Sequence, residues 1–348
     1  MRRTWKVMVP YLLVALFWFA GQAKAETFIP KTTKQTDKTK KTDKKKKKKP
    51  PKQGWIPSVK VAFNFAMAQS QGVIGVPDGT TVALGLQLNS GLIFRHANHE
   101  WKSQLAIIET QTKVPGIDPF IKSADKLDFE SNYIYSLTKV KWLGFYGGLS
   151  LTTPLFSSKL IKDKDTALDL NGDGTADATA MGQKPYRLTK AVSPFMFKQF
   201  AGMTMNPLRK KWMNLAFKVG TGAIEVWTRN GFVVDDNTDT KDLLELKRLF
   251  DYVEGGVEFQ LAGNGNLADK LLSYGFKANV MIPYATNADT DLKGGQLTNV
   301  EFTFNLGINL AKWAALNYSL SVMRYPLIVE KWQVTNNLML SITAAVGE

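Results

Sequence analysis

Two groups of residues in this chain have types and spacing suited to chemistry. The first is the pair His96 and His99, its only histidines. Imidazole titrates near neutrality, which makes it the usual general base of a Ser-His-Asp or Asp-His hydrolytic site. Both fall within Arg95-His96-Ala97-Asn98-His99-Glu100, a polar run between two apolar segments. There, solvated turn residues are the simpler reading and a pH-responsive or metal role the sharper one. Two histidines and no cysteine are too few for a zinc site built from such ligands. No Gly-rich phosphate loop occurs in a strand-turn-helix context.

The second group is the run from Asp169 to Asp177, DLNGDGTAD. Asp169, Asn171, Asp173, the Thr175 carbonyl and Asp177 take positions 1, 3, 5, 7 and 9 of a calcium loop, and Gly174 permits the sharp turn at position 6. Position 12 is Ala180 instead of a bidentate glutamate, so Asp163 or Asp165 would have to complete the shell. The spacing points to Ca2+ held weakly, with stiffening of the loop as its role. The competing explanation is a polar loop rich in Asn, Gly and Asp for turn reasons alone. No cofactor is required by anything else in the chain.

The framework that carries these residues begins after two special segments. Residues 1–25 combine Arg2, Arg3 and Lys6 with the apolar run VMVPYLLVALFWFA and end in Ala23-Lys24-Ala25, the pattern of a signal peptide cleaved after Ala25. Its roughly 14 apolar residues fall short of the ~20 of a spanning helix. Residues 26–54 follow as an arm in which segment 31–53 sets 12 lysines against Asp37 and Asp43, with no apolar side chain except proline. Like-charge repulsion should keep it extended and disordered. Exported to the periplasm, such an arm suits polyanionic partners: peptidoglycan carboxylates or anionic lipid.

The net charge of +15 belongs to these segments. Residues 1–53 hold 16 of the 45 Lys plus Arg and 3 of the 30 Asp plus Glu, which leaves 29 against 27 for the rest. A nearly neutral folded part argues against a nucleic-acid binder, which keeps a basic face on its domain. The lack of cysteine excludes disulfides and a lipoprotein anchor.

From Val59 onward the chain alternates apolar and polar residues. In VEFTFNLGINL, Val300, Phe302, Phe304, Leu306, Ile308 and Leu310 share one face while Glu301, Thr303, Asn305 and Asn309 share the other. Twelve strands are expected, at 59–69, 81–94, 101–113, 126–137, 142–155, 192–205, 212–228, 244–261, 271–284, 298–310, 314–328 and 333–346. Short connections (RHANHE, TKVK, NPLRKK, AGNGNLADK, LAKWA) alternate with long ones, the asymmetry of an up-and-down transmembrane β-barrel with tight periplasmic turns and long external loops. The last connection, around Glu330-Lys331, is short where a long one is due. Within 241–252, Leu243, Leu246, Leu249 and Phe250 suit a helix face as well as a strand.

Four of the five short turns carry a tryptophan: Trp101 after Glu100, and Trp142, Trp212 and Trp313 after Lys141, Lys211 and Lys312. Indole favours the headgroup level and lysine stems snorkel to water, so these four should form a periplasmic girdle. The polar faces of the strands point to a lumen lined by Asn64, Asp128, Glu130, Lys218, Glu254, Glu258, Lys277, Glu301 and Asn305. A solvated pore and a packed polar interior would both use such residues.

The passages KSADKLDFESNYIYSL, YRLTKAVSPFMFKQFAGMTMNPL, KRLFDYVEGGVEFQLA and WQVTNNLMLSI, above all Ser193-Pro194-Phe195 followed by Gly202 and Asn206-Pro207, resemble a Gram-negative outer-membrane β-barrel family known as a domain of unknown function. The resemblance spans most of residues 55–348 and implies a barrel in the outer membrane, with no activity, ligand or catalytic residue attached. The chain departs from barrels generally by ending Val346-Gly347-Glu348 where an aromatic residue is usual. Barrel hydrolases use a histidine at the outer rim or membrane face, and here both histidines fall in a periplasmic turn. The expectation is a non-enzymatic outer-membrane barrel, a small passive pore or structural envelope component. Loop-mediated binding or adhesion is the alternative, and a hydrolase a distant third.

Overall fold

The computed structural model describes residues 53–70, 79–140, 142–210, 212–235, 240, 243–268, 271–311 and 313–346. Residues 1–52, where the signal peptide and most of the arm are expected, and Lys141, Lys211 and Lys312 beside the turn tryptophans lie outside the described residues.

The alternating pattern is carried by twelve long strands: β1 Gly54–Ser70, β2 Gly79–His96, β3 His99–Lys113, β4 Ile121–Ser136, β5 Leu143–Thr153, β6 Phe195–Arg209, β7 Asn214–Trp227, β8 Tyr252–Leu267, β9 Leu272–Thr286, β10 Asn299–Asn309, β11 Ala314–Tyr325 and β12 Val329–Val346. Each pairs antiparallel with its sequence neighbours, and β1 pairs with β12 from Val59↔Val346 to Phe65↔Leu340. The sheet closes on itself, so no barrel strand is left with unpaired backbone groups along an edge. Among the described residues no helix is long and apolar enough to cross a membrane. A 3-10 turn, Gly294–Leu297, sits in the β9–β10 connection.

Register turns each strand inside out relative to a water-soluble protein. On β1, Phe63 is 49% exposed and its neighbour Asn64 only 7%. The same inversion holds on β2, where Leu84 and Leu86 are exposed while Gln87 and Asn89 are buried. Because the side-chain period is two, one register sets the whole face. Gln87 lies opposite Ala62 and Leu86 opposite Phe63, so apolar pairs with apolar outside and polar groups turn inward.

Gly54 and Val346 lie at one end of the barrel, here called the near end. The short turns after β2, β4, β6, β8 and β10 are at the same end. The described parts of the long connections 154–194 and 228–251 are at the far end and build a four-stranded sheet of their own: Phe232–Val234, Leu243–Arg248, Thr166–Asp169 and Ala178–Ala180. Leu168, Ala180, Leu244 and Leu246 are buried in it, with Leu160, Leu188 and Phe232 packed against them. Each buried leucine contributes roughly 2 kcal/mol of burial, enough to give the far-end loops a separate core.

Several boundaries differ from the sequence reading. Glu330 and Lys331, expected in the last connection, lie inside β12, whose preceding turn is Pro326 to Ile328. Asn206 to Arg209 of the expected turn NPLRKK belong to β6. The expected strand 244–261 is two elements: Leu243–Arg248 belongs to the loop sheet and the barrel strand starts at Tyr252. Much of the expected turn AGNGNLADK is strand, with Gly263 to Leu267 inside β8. Glycine is needed there, since a Cβ on Gly265 would meet the Trp212 carbonyl oxygen at 1.8 Å. Gly54, assigned to the arm, opens β1 at φ 87°.

Candidate functional site: the barrel lumen

The inward faces of β3–β10 carry most of the charges, and those of β11, β12, β1 and β2 mostly carry amides and hydroxyls. Together they line a cavity of about 330 Å³ bordered by Lys126, Asp128, Glu130, Lys198, Lys218, Glu258, Lys277 and Glu301, among others. Lysine and carboxylate are interleaved by register. Lys126 pairs with Asp128, Lys198 Nζ lies 2.6 Å from Glu258 Oε1, and Lys277 Nζ lies 3.8 Å from Glu130 Oε2. Asp128 also accepts a 2.6 Å bond from the Thr152 hydroxyl, Glu130 accepts one from the Asn132 amide, and the Tyr325 hydroxyl donates to Glu301 at 3.0 Å.

Lys218 differs from the other three lysines. Its ammonium lies over the Tyr146 ring, 4.9 Å from the centroid, and among the described residues no carboxylate oxygen lies within salt-bridge range of it. The face of an aromatic ring attracts a cation, though more weakly than a carboxylate does. Tyr146 in turn tilts against Phe200, with centroids 6.0 Å apart. These inward rings stand among glycines: a Cβ on Gly148 would meet Phe200 at 2.8 Å.

On the far side the cavity meets an apolar cluster. Ile224, Val226, Tyr252 and Met281, inward on β7–β9, are packed by Met196, Ala288, Leu327 and Ile328. Leu327 and Ile328 come from the three-residue β11–β12 turn, the connection whose shortness the sequence shows. Being short, it tucks over the mouth of the lumen instead of reaching outward. Just beneath, Glu254 is fully buried and accepts a hydrogen bond from the Asn299 amide.

All nine expected lumen residues, from Asn64 to Asn305, face inward, and Asn305 does so by register between Gly275 and Ser319. Lys126, Lys198, Tyr146, Phe200 and Tyr325 complete the site, and the sequence reading missed them. Lys198 lies in Phe197-Lys198-Gln199-Phe200, where the inward Phe200 and outward Gln199 break the alternation that would have shown it.

The expected girdle tryptophans Trp101, Trp142, Trp212 and Trp313 are all exposed at the near end. Trp55 joins them, with ring centroids 4.8 Å from Phe94 and 6.1 Å from Trp101. Exposed Trp227, Tyr284 and Trp332 lie toward the far end, and Phe195 packs on Trp227 with centroids 5.4 Å apart. The sequence reading did not find this second set, because the long connections spread it over segments with no common motif. On β7, twelve residues separate Leu215 from Trp227. At ~3.3 Å per residue and a tilt of about 40° the rise is roughly 30 Å, the thickness of a bilayer hydrocarbon core.

His96 and His99 close the two-residue turn Ala97–Asn98 at the near end, and His99 Nδ1 lies 2.5 Å from the outward Tyr133 hydroxyl. Neither histidine lines the lumen cavity.

In the loop from Asp169 to Asp177 the carboxylates turn onto their own backbone. The Asp169 side chain accepts N–H bonds from Gly172 at 2.6 Å, Gly174 at 2.8 Å and Asn171 at 3.0 Å. Enclosure by the loop acts to raise its pKa, but the three N–H groups outweigh that and hold the carboxyl below the usual aspartate value. Asp173 is bonded by the Thr175 N–H and hydroxyl at 2.8 and 2.6 Å, which lower its pKa. Asp177 accepts from the Leu170 N–H at 2.8 Å, and Asp165 is taken by Gly182 N–H at 2.7 Å. Among the described residues no three His, Cys, Asp or Glu side chains gather closely enough to hold a metal.

No protein-family model matches the chain, and no curated protein sequence matches it. Solved structures similar to it are outer-membrane barrels. An outer-membrane channel from Pseudomonas putida F1 is 11% identical, the match covering 88% of this chain and 100% of that one, with a TM-score of 0.38. The translocator domain of the autotransporter NalP from Neisseria meningitidis is 9% identical, covering 84% and 88%, with a TM-score of 0.38. A TodX monoaromatic hydrocarbon channel variant is 8% identical, covering 84% and 90%, with a TM-score of 0.34.

Proposed function

We propose that this protein is a bacterial outer-membrane barrel acting as a narrow passive pore for small polar solutes, without enzymatic activity. The observation that carries the reading is the charge-lined cavity of about 330 Å³ inside a closed barrel whose outer face is apolar. An outer wall of exposed Val, Leu and Phe between two sets of aromatic rings is costly in water and favourable in lipid. The paired charges of Lys198–Glu258 and Lys126–Asp128 keep the cavity polar, and the Leu327–Ile328 turn narrows its far side. The absence of activity is supported by the position of both histidines outside the lumen.

Single-channel recording tests the reading. The purified barrel in a planar bilayer is expected to give small, uniform conductance steps. Glu258→Gln should shift the reversal potential toward anions and Lys198→Gln toward cations, because each leaves its partner's charge uncompensated in a narrow passage. The absence of steps, or a reversal potential indifferent to both changes, would remove the pore from consideration.

A second reading rests on a separate observation, the far-end loop sheet with its own leucine core. Loops organised in this way suit binding or adhesion. Calcium at Asp169–Asp177 and engagement of a polyanion by the arm remain proposals from spacing and composition. In this arrangement the outer membrane holds the barrel with the near end, and the arm, in the periplasm.

A further inference from the structure

We propose that the lumen selects small anions, and that the selection is made in its near half by a ring of cationic side chains. The proposal deepens the pore reading and rests on it for the passage of solutes.

Register fixes which charges face inward, and the distance of each from its strand end fixes its height in the barrel. Lys60 on β1 is in phase with the buried Ala62 and Asn64. Lys102 follows the exposed Trp101 on β3 and so turns inward. Lys218 stands four residues into β7 (214 to 218) and Lys277 five into β9 (272 to 277), both lining the cavity. Arg95 lies opposite Glu100 at the near mouth, and Arg209, the last residue of β6, lies opposite Asn214. These six cations come from β1, β2, β3, β6, β7 and β9, so they surround the passage. The near half sets only two carboxylates against them, Glu100 and, six residues from the near end of β4 (130 to 136), Glu130.

The far half has the opposite balance. There Lys126 and Lys198 meet Asp128, Glu258 and Glu301. Glu254 is fully buried beneath the apolar cluster and faces no solvent, and at the far rim Lys331 pairs with Asp235 of the loop sheet, 3.4 Å away. Pairing does not cancel the near-half excess. Glu100 is shared, 2.5 Å from both Arg95 Nε and Lys102 Nζ, and Glu130 lies 3.8 Å from Lys277 Nζ. Lys60, Arg209 and Lys218 are left with no carboxylate in ion-pair range among the described residues. The ring of Tyr146 attracts Lys218 without neutralising its charge.

A narrow passage between low-dielectric walls focuses the field of the charges that line it. Rings of Lys and Arg are the arrangement that favours anions in pores, as rings of Asp and Glu favour cations. An anion entering from the near end meets attraction at once. A cation is repelled there before it reaches the carboxylates of the far half, and those are already engaged: Asp128 by Lys126, Glu258 by Lys198 and Glu301 by the Tyr325 hydroxyl. The near half therefore decides the sign of the preference.

The zero-current potential of the intact protein in a planar bilayer across a KCl gradient tests this. Chloride is expected to permeate at least two-fold more readily than potassium, and the ratio should fall toward one when Lys60→Gln and Lys218→Gln are combined. Lys247→Gln, on the loop sheet, is the control and should leave the ratio unchanged. If the double variant does not reach the compact heat-modifiable form, each single substitution is read in its place and should lower the ratio part of the way. A potassium preference, a ratio of one in the unmodified protein, or a chloride preference untouched by the substitutions would overturn the proposal and leave the pore. Absence of conductance steps would remove the pore, and titration of inorganic phosphate into the detergent-purified protein then decides the cationic ring. Phosphate should bind at least three-fold more weakly to the double variant, which keeps the lysine arm, so the difference reads the lumen alone; equal affinities would overturn the proposal.

Discussion

Ser341 on the last barrel strand donates a 2.9 Å hydrogen bond to Asn64 on the first, from its hydroxyl to the Asn64 side-chain oxygen. The two residues are also register partners, inward on β12 and β1. Asn317 on β11 extends the chain by donating to the Ser341 hydroxyl at 2.9 Å. Three strands are therefore tied from inside, at the seam where the ends of the chain must meet for the barrel to close. Without closure, β1 and β12 would each expose a row of unpaired backbone groups to lipid, at several kcal/mol per group.

The seam gives the first prediction. Asn64→Ala removes the acceptor and should cost about 1 kcal/mol, a typical net hydrogen-bond contribution. Its measure is a lower midpoint for loss of the compact, heat-modifiable form on gels. Because Ser341→Ala removes the other half of the same bond, the double variant should lose less than the two single losses combined. Strict additivity would show that the bond does not hold the seam.

Glycine placement on the β6–β7 pair gives the second. Gly202 and Gly220 face each other across it, and a Cβ on Gly202 would lie 2.2 Å from the Val219 carbonyl oxygen, one on Gly220 2.1 Å from that of Ala201. These contacts are to backbone, so no side-chain rotation relieves them. Gly202→Ala or Gly220→Ala should destabilise the barrel by roughly 1–3 kcal/mol, the range for overpacking, and lower the yield of folded barrel in refolding. Alanine at Gly295, which has nothing within 4 Å, is the control and should fold normally.

Most of the barrel is legible in the sequence because a membrane barrel states its two faces residue by residue. Phe63 and Asn64 differ in exposure because they differ in chemistry, and a period of two assigns all the rest of β1. What alternation does not carry is which sheet a strand joins. Leu244 and Leu246 alternate with Glu245 and Lys247 as a barrel strand would, yet Leu243–Arg248 lies parallel to Thr166–Asp169 in the loop sheet, with Leu243 opposite Ala167. That partner is some 75 residues earlier, beyond the reach of any local pattern. The lumen charges were legible for the same reason as the strands. Their pairing was not, since Lys198 and Glu258 sit 60 residues apart and meet only through β7 between them.

The loop from Asp169 to Asp177 gives the third prediction. Its order comes from N–H bonds to Asp169, so Asp169→Ala should loosen it and speed proteolysis between residues 169 and 178 without lowering barrel stability. Acid tests the same bonds. The folded Asp169 carboxyl is held below its ordinary value, so its contribution is complete above about pH 4, the unfolded aspartate value. It is lost as pH falls through the lower folded value. Calcium titration separates this from the ion reading. A calcium heat present in the native protein and abolished by Asp169→Ala and Asp173→Ala would establish a cation site, whereas equal, negligible heats leave the backbone bonds as the whole explanation.

The fourth prediction concerns the arm, residues 31–53, whose 12 lysines face only Asp37 and Asp43 before the chain enters β1. Fully extended at ~3.3 Å per residue, such a segment reaches roughly 70 Å, far enough to touch surfaces well beyond the near end of the barrel. If it tethers the barrel to a polyanion, deletion of residues 31–53 should abolish most pull-down of purified peptidoglycan or of anionic vesicles and leave heat-modifiable mobility unchanged. Salt gives the sharper criterion. Exposed charges are screened within about 8 Å at physiological ionic strength and within about 3 Å at 1 M. Capture by the intact protein should therefore fall steeply between those two conditions, and capture by the deletion variant should stay low at both. The two probes also separate the partners, since neutral vesicles report any affinity of the barrel itself and peptidoglycan with amidated carboxylates reports any affinity for the glycan. Equal capture by intact and deleted protein, or capture indifferent to salt, would leave the arm as a spacer whose lysines serve only to keep it solvated.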